Sequence, residues 1–261
     1  MKSKDEMVLG TQRPLRLLHT ADLHLDDAPQ RPAALARLGL QAVVDTAIAE
    51  AVDLVLVAGD LFDHNRVADD TVAFVQEQLR RVQRPVVVLP GNHDCLVPNA
   101  IYDRYDFAAT CPNVQVITAE EGQVCEIPGL PLVVWGRAMV EHAPWFHPLA
   151  ALPARADRRW HVALAHGFFY PSRQTAERSS PIFAEEIRDS GWDYVALGHH
   201  HVLTEVSQGR VKAFYPGAPL TPWREASPWG SVLLVELSPS RGVQVRPHRL
   251  VPPAATATSQ G

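Results

Sequence analysis

The clearest signal of the fold is the stretch LRLLHTADLHL at residues 15–25, in which a short apolar run ends abruptly at Asp-Leu-His. The same arrangement returns as LVLVAGDLFD at residues 54–63 and as VVVLPGNHD at residues 86–94. Continuous apolar runs of about four to eight residues are typical of strands that are buried on both faces. We therefore predict three buried strands, each followed at its carboxyl end by polar residues.

Helical patterns separate these three strands. Residues 32–51 have apolar residues at helical spacing after a proline in the opening turn, and residues 68–82 repeat the pattern with two aspartates near the start. A β-α-β-α-β order predicts parallel strands that are joined by right-handed crossovers.

The second half of the chain is rich in predicted strands and has one predicted helix, at residues 181–190. The strands are predicted at residues 114–118, 123–127, 132–135, 161–165, 194–197, 211–215, 231–237 and 243–248. Together the two halves predict an α/β fold, a four-layer αββα sandwich of two mixed β-sheets flanked by helices. We expect one domain over residues 13–251, with residues 1–12 and 252–261 as flexible termini.

Composition indicates an ordinary globular protein, with 46% hydrophobic residues and a net charge of −5. The apolar runs are too short to cross a bilayer, residues 1–10 lack the apolar stretch of a secretory signal, and three cysteines cannot all pair. We therefore expect a cytoplasmic protein with no membrane partner. The negative charge argues against nucleic-acid binding through bulk charge, although arginine clusters at 80–84, 155–159 and 173–178 leave a local patch open.

Seven polar side chains after these strands form the candidate metal site. They are Asp22, His24, Asp60, Asn92, His166, His199 and His201. Carboxylate oxygen and neutral imidazole nitrogen are the usual ligands of divalent cations that activate water. Side chains at i and i+2 of an extended segment point to the same side, which would let Asp22 and His24 share an ion. The alternative, that strand-end Asp and Asn serve as turn residues and caps, leaves the histidines unexplained.

These motifs resemble the five signature blocks of the calcineurin-like metallophosphoesterases. The blocks are Asp-Leu-His at 22–24, Gly-Asp-Leu-Phe-Asp at 59–63, Gly-Asn-His-Asp at 91–94, Ala-His-Gly at 165–167 and Gly-His-His-His at 198–201. The resemblance implies an αββα fold, a catalytic domain over residues 13–251 and two divalent metal ions, usually Mn²⁺ and sometimes iron or zinc.

The resemblance also implies a role for each site residue. The residues implied for the first metal are Asp22, His24, Asp60 and His201. The residues implied for the second metal are Asp60, Asn92, His166 and His199. Asp60 would bridge the two ions, His93 would contact the scissile phosphate, and Asp94 would orient the ring of His93.

The detailed sequences of the motifs, including LHTADLHL at 18–25 and YPGAP at 215–219, are similar to those of the SbcD-type nucleases of double-strand-break repair. That similarity implies hydrolysis of DNA phosphodiesters by metal-activated hydroxide, and an ATPase partner of the SbcC type. A homodimer is a further candidate assembly. The alternatives are a phosphodiesterase or phosphatase that acts on small molecules or cyclic nucleotides without DNA activity, and a noncatalytic scaffold.

Three further residues are candidates for contact with the substrate. His64 directly follows the Gly-Asp-Leu-Phe-Asp block, and Trp223 and Arg224 follow the Pro-Gly-Ala-Pro turn. The remaining histidines that we considered are predicted to pack in the protein or to face solvent: His19, His142, His147, His161 and His200.

Overall fold

The computed structural model describes residues 13–26, 33–221 and 227–253. The strands are β1 Leu15–Thr20, β2 Leu54–Ala58, β3 Val86–Leu89, β4 Val114–Val116, β5 Gln123–Glu126, β6 Leu132–Gly136, β7 Trp160–His166, β8 Phe168–Tyr170, β9 Pro181–Phe183, β10 Tyr194–Gly198, β11 Thr204–Glu205, β12 Lys212–Tyr215, β13 Ser231–Ser238 and β14 Gly242–Arg249. The α-helices are α1 Ala33–Ala49, α2 Asp69–Arg81, α3 Ile101–Arg104, α4 Phe107–Thr110 and α5 Ala184–Ser190. The predictions made for residues 1–12, for residues 254–261 and for Trp223 and Arg224 lie outside the described residues.

Two six-stranded mixed sheets form the centre of the molecule. Sheet 1 has the order β14-β13-β1-β2-β3-β4, and sheet 2 has the order β11-β12-β10-β7-β6-β5. Strands β1 to β4 run parallel to one another, as do β6, β7, β10 and β12, whereas β5, β11, β13 and β14 pair antiparallel. The crossover helices α1 and α2 connect the parallel strands of sheet 1, as right-handed βαβ units require.

The layers follow from the alternation of apolar side chains along the strands. One face of sheet 1 packs against α1 and α2 through residues such as Val43, Val57 and Val75. The opposite face packs against sheet 2, where Leu56 and Leu164 are fully buried. The outer face of sheet 2 is covered by α5 and the neighbouring loops. The predicted four-layer αββα sandwich is therefore confirmed.

A buried histidine joins the two sheets. Nδ1 of His19, in β1, lies 2.8 Å from the hydroxyl of Tyr194, and its Nε2 lies 3.2 Å from the carbonyl oxygen of Leu197. A carbonyl can only accept, so Nε2 carries the proton and Nδ1 accepts from the tyrosine. Burial lowers the pKa of His19 to about 3, which keeps the ring neutral. His19 therefore packs in the core, as predicted, and both of its ring nitrogens are hydrogen-bonded.

The predicted elements differ from the observed ones mainly in the second half. Residues 181–190 begin as strand β9, which pairs with β8, before the chain turns into α5 at Ala184. The pairing partner comes from another segment, which local helical spacing does not reveal. The short helices α3 and α4 and the strands β8 and β11 were not predicted either. Among the described residues, no helix combines the length and apolar character needed to span a bilayer.

Candidate metal centre

Backbone pairing of two loops brings the first candidate ligands together. Because β1 and β2 are parallel and in register, the loops after them run side by side. The N–H of Asp22 donates to the carbonyl of Gly59 at 3.0 Å, and the N–H of His24 donates to the carbonyl of Asp60 at 3.0 Å. Three side chains from sequence-distant motifs therefore start from adjacent backbone positions.

These ligand positions have strained backbone. Left-handed φ values occur at Asp22 (56°), His24 (50°), Asp60 (53°) and His199 (97°). Such conformations cost about 1–3 kcal/mol for residues other than glycine and concentrate at functional sites. The prediction that Asp22 and His24 share a side because their segment is extended was wrong in its reason, because the backbone is left-handed at both. The two side chains nevertheless converge.

Two motif glycines leave room for the ligand loops. A Cβ at Gly91 would lie 2.1 Å from Oδ1 of Asp60, and a Cβ at Gly198 would lie 1.8 Å from the carbonyl oxygen of Ala58. Both distances are far below van der Waals contact. Only a residue without a side chain fits these positions, so the glycines of the motifs are required by packing around the site.

The first group of donors consists of Asp22, His24 and His201, whose candidate ligand atoms all lie within 4.8 Å of one another. Nε2 of His24 lies 3.2 Å from Nε2 of His201, which in turn lies 3.8 Å from Oδ1 of Asp22. On its other side, Nδ1 of His24 lies 2.9 Å from Oδ1 of Asp63. A carboxylate at Nδ1 fixes the proton there and leaves the Nε2 lone pair facing the group.

The second group consists of Asp60, His166 and His199. Oδ1 of Asn92 lies between the two imidazoles, 3.0 Å from Nε2 of His166 and 2.9 Å from Nδ1 of His199. Nδ1 of His166 donates to the carbonyl of Ala58 at 2.9 Å, so its Nε2 is available to a ligand. The structure thus brings all seven predicted ligands into two adjoining groups.

Asp60 stands between the two groups. Its Oδ2 lies 3.3 Å from Nε2 of His166 and 3.6 Å from Nε2 of His24. Its Oδ1 accepts the backbone N–H of His93 at 2.9 Å, which fixes the orientation of the carboxylate. One oxygen atom is therefore close to donors of both groups, as a bridging ligand must be.

The electrostatics of the buried site suit a cation. Burial disfavours the charged form of His166, but the negative charge of Asp60 outweighs this and raises the pKa of His166 to about 9. Burial raises the pKa of Asp22 to about 6, whereas the charge of His166 holds the pKa of Asp60 below its ordinary value despite burial. Buried carboxylates that lie beside imidazoles form a site in which protons and divalent cations compete. The donor set, with carboxylate, amide and imidazole groups, fits two divalent ions.

His93 lies at the rim and forms a third group of candidate ligand atoms with His24 and Asp60, all within 4.8 Å of one another. Its ring meets that of His24 edge-on at 4.5 Å between centroids, and its side chain is 41% exposed. Nδ1 donates to the main-chain carbonyl of Asp63 at 2.6 Å, which leaves Nε2 as the atom available to a ligand.

The predicted role of Asp94 is corrected by the structure. Its carboxylate is buried and accepts the backbone N–H groups of Gly91, Leu61 and Phe62 and the hydroxyl of Tyr102. The ring of His93 is held by Asp63 instead. Asp94 therefore fixes the two loops that carry Asp60 and Asn92, and it does not orient His93.

The other predicted residues lie around the site in different ways. His64 is 42% exposed, pairs with Asp26 at 3.2 Å and belongs to none of the donor groups. The ring of His200 packs against Phe168 and Tyr215, away from the two groups.

Asp63 and His142 lie beside the donor groups, although neither was predicted as a site residue. Asp63 could have been identified from its place in the Gly-Asp-Leu-Phe-Asp block, because it lies in the same loop as Asp60, three residues later. His142 has no motif, yet its ring lies 5.3 Å from that of His199. Partial burial and the nearby His166 lower the pKa of His142.

Comparison with known proteins agrees with this geometry. The family model of the calcineurin-like phosphoesterases matches residues 15–203. The chain is 28% identical over 225 residues to an uncharacterized metallophosphoesterase, YhaO, of Bacillus subtilis (strain 168). The alignment covers 78% of this chain and 52% of that protein, so the chain spans about half the length of this relative.

Solved structures share the fold at low sequence identity. The protein TT1561 of Thermus thermophilus has a TM-score of 0.56 at 13% identity, covering 90% of this chain and 99% of its own. A dimetal phosphatase from Danio rerio has a TM-score of 0.58 at 11% identity, covering 92% and 99%. With the matched family model, the two mixed sheets and the clustered donors, the chain belongs to the calcineurin-like phosphoesterase family, a family of metal-dependent phosphoesterases.

Proposed function

We propose that this chain is a two-metal phosphodiesterase that acts as a nuclease on DNA, with Mn²⁺ as the preferred ion. In this proposal Asp22, His24 and His201 hold one ion, and Asn92, His166 and His199 hold the other. The observation that carries it is the placement of Oδ2 of Asp60 within 3.6 Å of imidazole nitrogens from both groups. A single bridging carboxylate is what a site for two ions roughly 3.5–4 Å apart requires.

The ions, when bound, would supply an activated water at neutral pH and offset negative charge on the phosphate. Residues of the chain would orient the metal ligands and contact the phosphate. Asp63 and Ala58 hold the ligand imidazoles in the tautomer that presents Nε2. His93, anchored through Nδ1, presents Nε2 to a phosphate oxygen or to the leaving oxygen at the rim.

Two features support nuclease activity: the sequences of the motifs and one arginine at the site. Arg178 stacks over the ring of Phe168 at 4.9 Å, and that ring lies 5.8 Å from the ring of His199. An arginine on an aromatic ring beside the metal groups suits a phosphate backbone with stacked bases. As a nuclease, the protein would act on DNA in the cytoplasm and work with an ATPase partner of the SbcC type.

A small-molecule or cyclic-nucleotide phosphodiesterase is the second candidate, and the positions of the other arginines favour it. Arg84 and Arg159 lie before the starts of β3 and β7, whereas the metal groups lie beyond the ends of these strands. Strand β7 alone separates the two ends by roughly 20 Å. Two of the three arginine clusters therefore lie far from the reaction and cannot guide DNA into it.

An activity panel separates the two candidates. Protein loaded with Mn²⁺ would be assayed on bis-p-nitrophenyl phosphate, on single- and double-stranded DNA and on cyclic nucleotides. We expect turnover of the model diester and of DNA, with both lost in Asp60→Asn and retained in the exposed control Asp189→Asn. Turnover of the model diester or cyclic nucleotides without DNA cleavage would favour the second candidate. No phosphoester turnover at all, with metal bound, would refute both.

His93→Ala tests the role of the rim histidine. We expect a fall in kcat of about 10²–10⁴-fold, as for the loss of a general acid or phosphate contact, with unchanged Mn²⁺ content. A loss of metal in this variant would assign His93 to the ligands instead.

A further inference from the structure

We propose that His142 is a second substrate-binding histidine, which donates a hydrogen bond from Nε2 to a non-bridging oxygen of the phosphate on the side of the second donor group. This inference rests on the proposed function, since it needs a phosphate at the metal site. It assigns a role to a residue outside every motif of the sequence.

His142 contacts a member of the second group, as His93 contacts a member of the first. The ring of His93 meets that of His24, a member of the first group, at 4.5 Å, and the ring of His142 meets that of His199, a member of the second group, at 5.3 Å. The ring is also exposed to solvent, which a residue that contacts substrate must be.

The backbone around His142 is fixed on both sides. The carbonyl of Met139 accepts the N–H of Leu96, just after the Gly-Asn-His-Asp block, at 2.8 Å. The carbonyl of Ala143 accepts the N–H of Ser180 at 3.0 Å. The segment that carries His142 is thus tied to the loop of Asn92 and to the segment leading into β9. A side chain held this way can be preorganised for a ligand.

The side chain is anchored through one nitrogen only. Nδ1 of His142 lies 3.1 Å from Oγ of Ser180, a fully buried residue. That hydroxyl also lies 4.0 Å from the sulfur of Met139, to which it can donate, and in either tautomer of His142 the nitrogen that pairs with Ser180 is Nδ1. Nε2 is therefore the ring nitrogen that remains for a ligand, and a phosphate oxygen, which can only accept, selects the tautomer with the proton on Nε2. Within residues 13–26, 33–221 and 227–253, no group lies at hydrogen-bond distance from that nitrogen.

A hydrogen-bond donor suits this position, because a phosphate oxygen carries negative charge and can only accept. Hydrogen bonds to charged groups contribute about 1.5–3 kcal/mol, which corresponds to roughly ten- to hundredfold in affinity.

The test measures binding of inorganic phosphate to the full chain loaded with Mn²⁺, by isothermal titration calorimetry. His142→Phe keeps a ring and removes the donor, and His142→Gln places an amide N–H near the position of Nε2. His147→Ala, on the same segment but packed against Phe183, is the matched control. Metal content and circular dichroism of each variant are measured alongside.

We expect the Kd for phosphate to rise at least tenfold in His142→Phe, to be restored to within about threefold in His142→Gln, and to stay unchanged in His147→Ala, all with wild-type Mn²⁺ content. An unchanged Kd in His142→Phe, a loss of Mn²⁺ in that variant, or no binding of phosphate to the wild type would overturn the inference. Wild-type protein that binds Mn²⁺ and phosphate but hydrolyses no phosphoester would refute the proposed function alone. Active wild type with unchanged phosphate affinity in His142→Phe would refute only the role of His142.

Discussion

Replacement of Asp94 by alanine tests whether this residue acts on the loops or on His93. The carboxylate is fully buried and accepts four hydrogen bonds, at 2.7 Å from Gly91, 3.0 Å from Leu61, 3.2 Å from Phe62 and 2.7 Å from the Tyr102 hydroxyl. Asp94→Ala leaves three backbone N–H groups and one hydroxyl in the interior without an acceptor.

The magnitude follows from these four contacts. An unsatisfied buried donor costs about 1–3 kcal/mol, and water entering the space left by the carboxylate recovers part of the sum. We therefore expect Asp94→Ala to lower the free energy of unfolding by about 4 kcal/mol. Tyr102→Phe removes a single donor and leaves the carboxylate with three partners, so it should cost only about 1 kcal/mol.

The assay is urea unfolding of metal-free protein at neutral pH, followed by tryptophan fluorescence and circular dichroism. Asp94→Ala should also bind Mn²⁺ more weakly, because Asp60 and Asn92 lie on the loops that it joins. If Asp94→Ala unfolded within 1 kcal/mol of the wild type and lost turnover only, the reasoning would be refuted, and a role through His93 would take its place.

Three further substitutions test the orientation of a metal ligand, the packing at a motif glycine and the buried histidine between the sheets. Asp63→Ala removes the carboxylate at Nδ1 of His24 and should weaken Mn²⁺ binding about 10–100-fold by calorimetry, and wild-type affinity would contradict that orienting role. Gly198→Ala would force a Cβ to 1.8 Å from a backbone oxygen and should cost more than about 3 kcal/mol in urea unfolding, against about 1 kcal/mol for Gly129→Ala, where only the positive φ is strained. Burial lowers the pKa of His19 from 6.5 to about 3, so below pH 6.5 the unfolded chain binds a proton that the folded chain does not. Stability should therefore fall with decreasing pH across that window by up to about 1.4 kcal/mol per pH unit more than in His19→Gln, and parallel pH profiles of the two proteins would contradict this.

Much of the fold could be predicted from the sequence because the signals are local. Runs such as LVLVA at Leu54–Ala58 are typical of strands buried on both faces, and the polar residues after them mark the carboxyl ends of parallel strands, where ligands gather. The proximity of the seven donors followed from that rule. The left-handed backbone at Asp22 and Asp60 did not, because it depends on how two loops pair with each other.

The rest of the site could not be predicted because it depends on partners far along the chain. Asp94 is next to His93 in sequence, yet its acceptor atoms are taken by Leu61, Phe62 and other donors that reach it through the fold. His142 gains its position from Ser180, 38 residues away. Such hydrogen bonds have no spacing signature. The motif resemblance therefore assigned Asp94 to the ring of His93, and His142 was predicted to pack in the protein or to face solvent.

The most direct test of the central claim is a count of bound metal ions. Protein dialysed against saturating Mn²⁺ and passed through a desalting column would be measured by elemental analysis, with Asp60→Asn and the control Asp189→Asn treated alike. We expect about two ions per chain for the wild type and for Asp189→Asn, and fewer than one for Asp60→Asn. A wild-type chain that held one ion or none, or an Asp60→Asn variant that kept both, would contradict a bridged two-metal site.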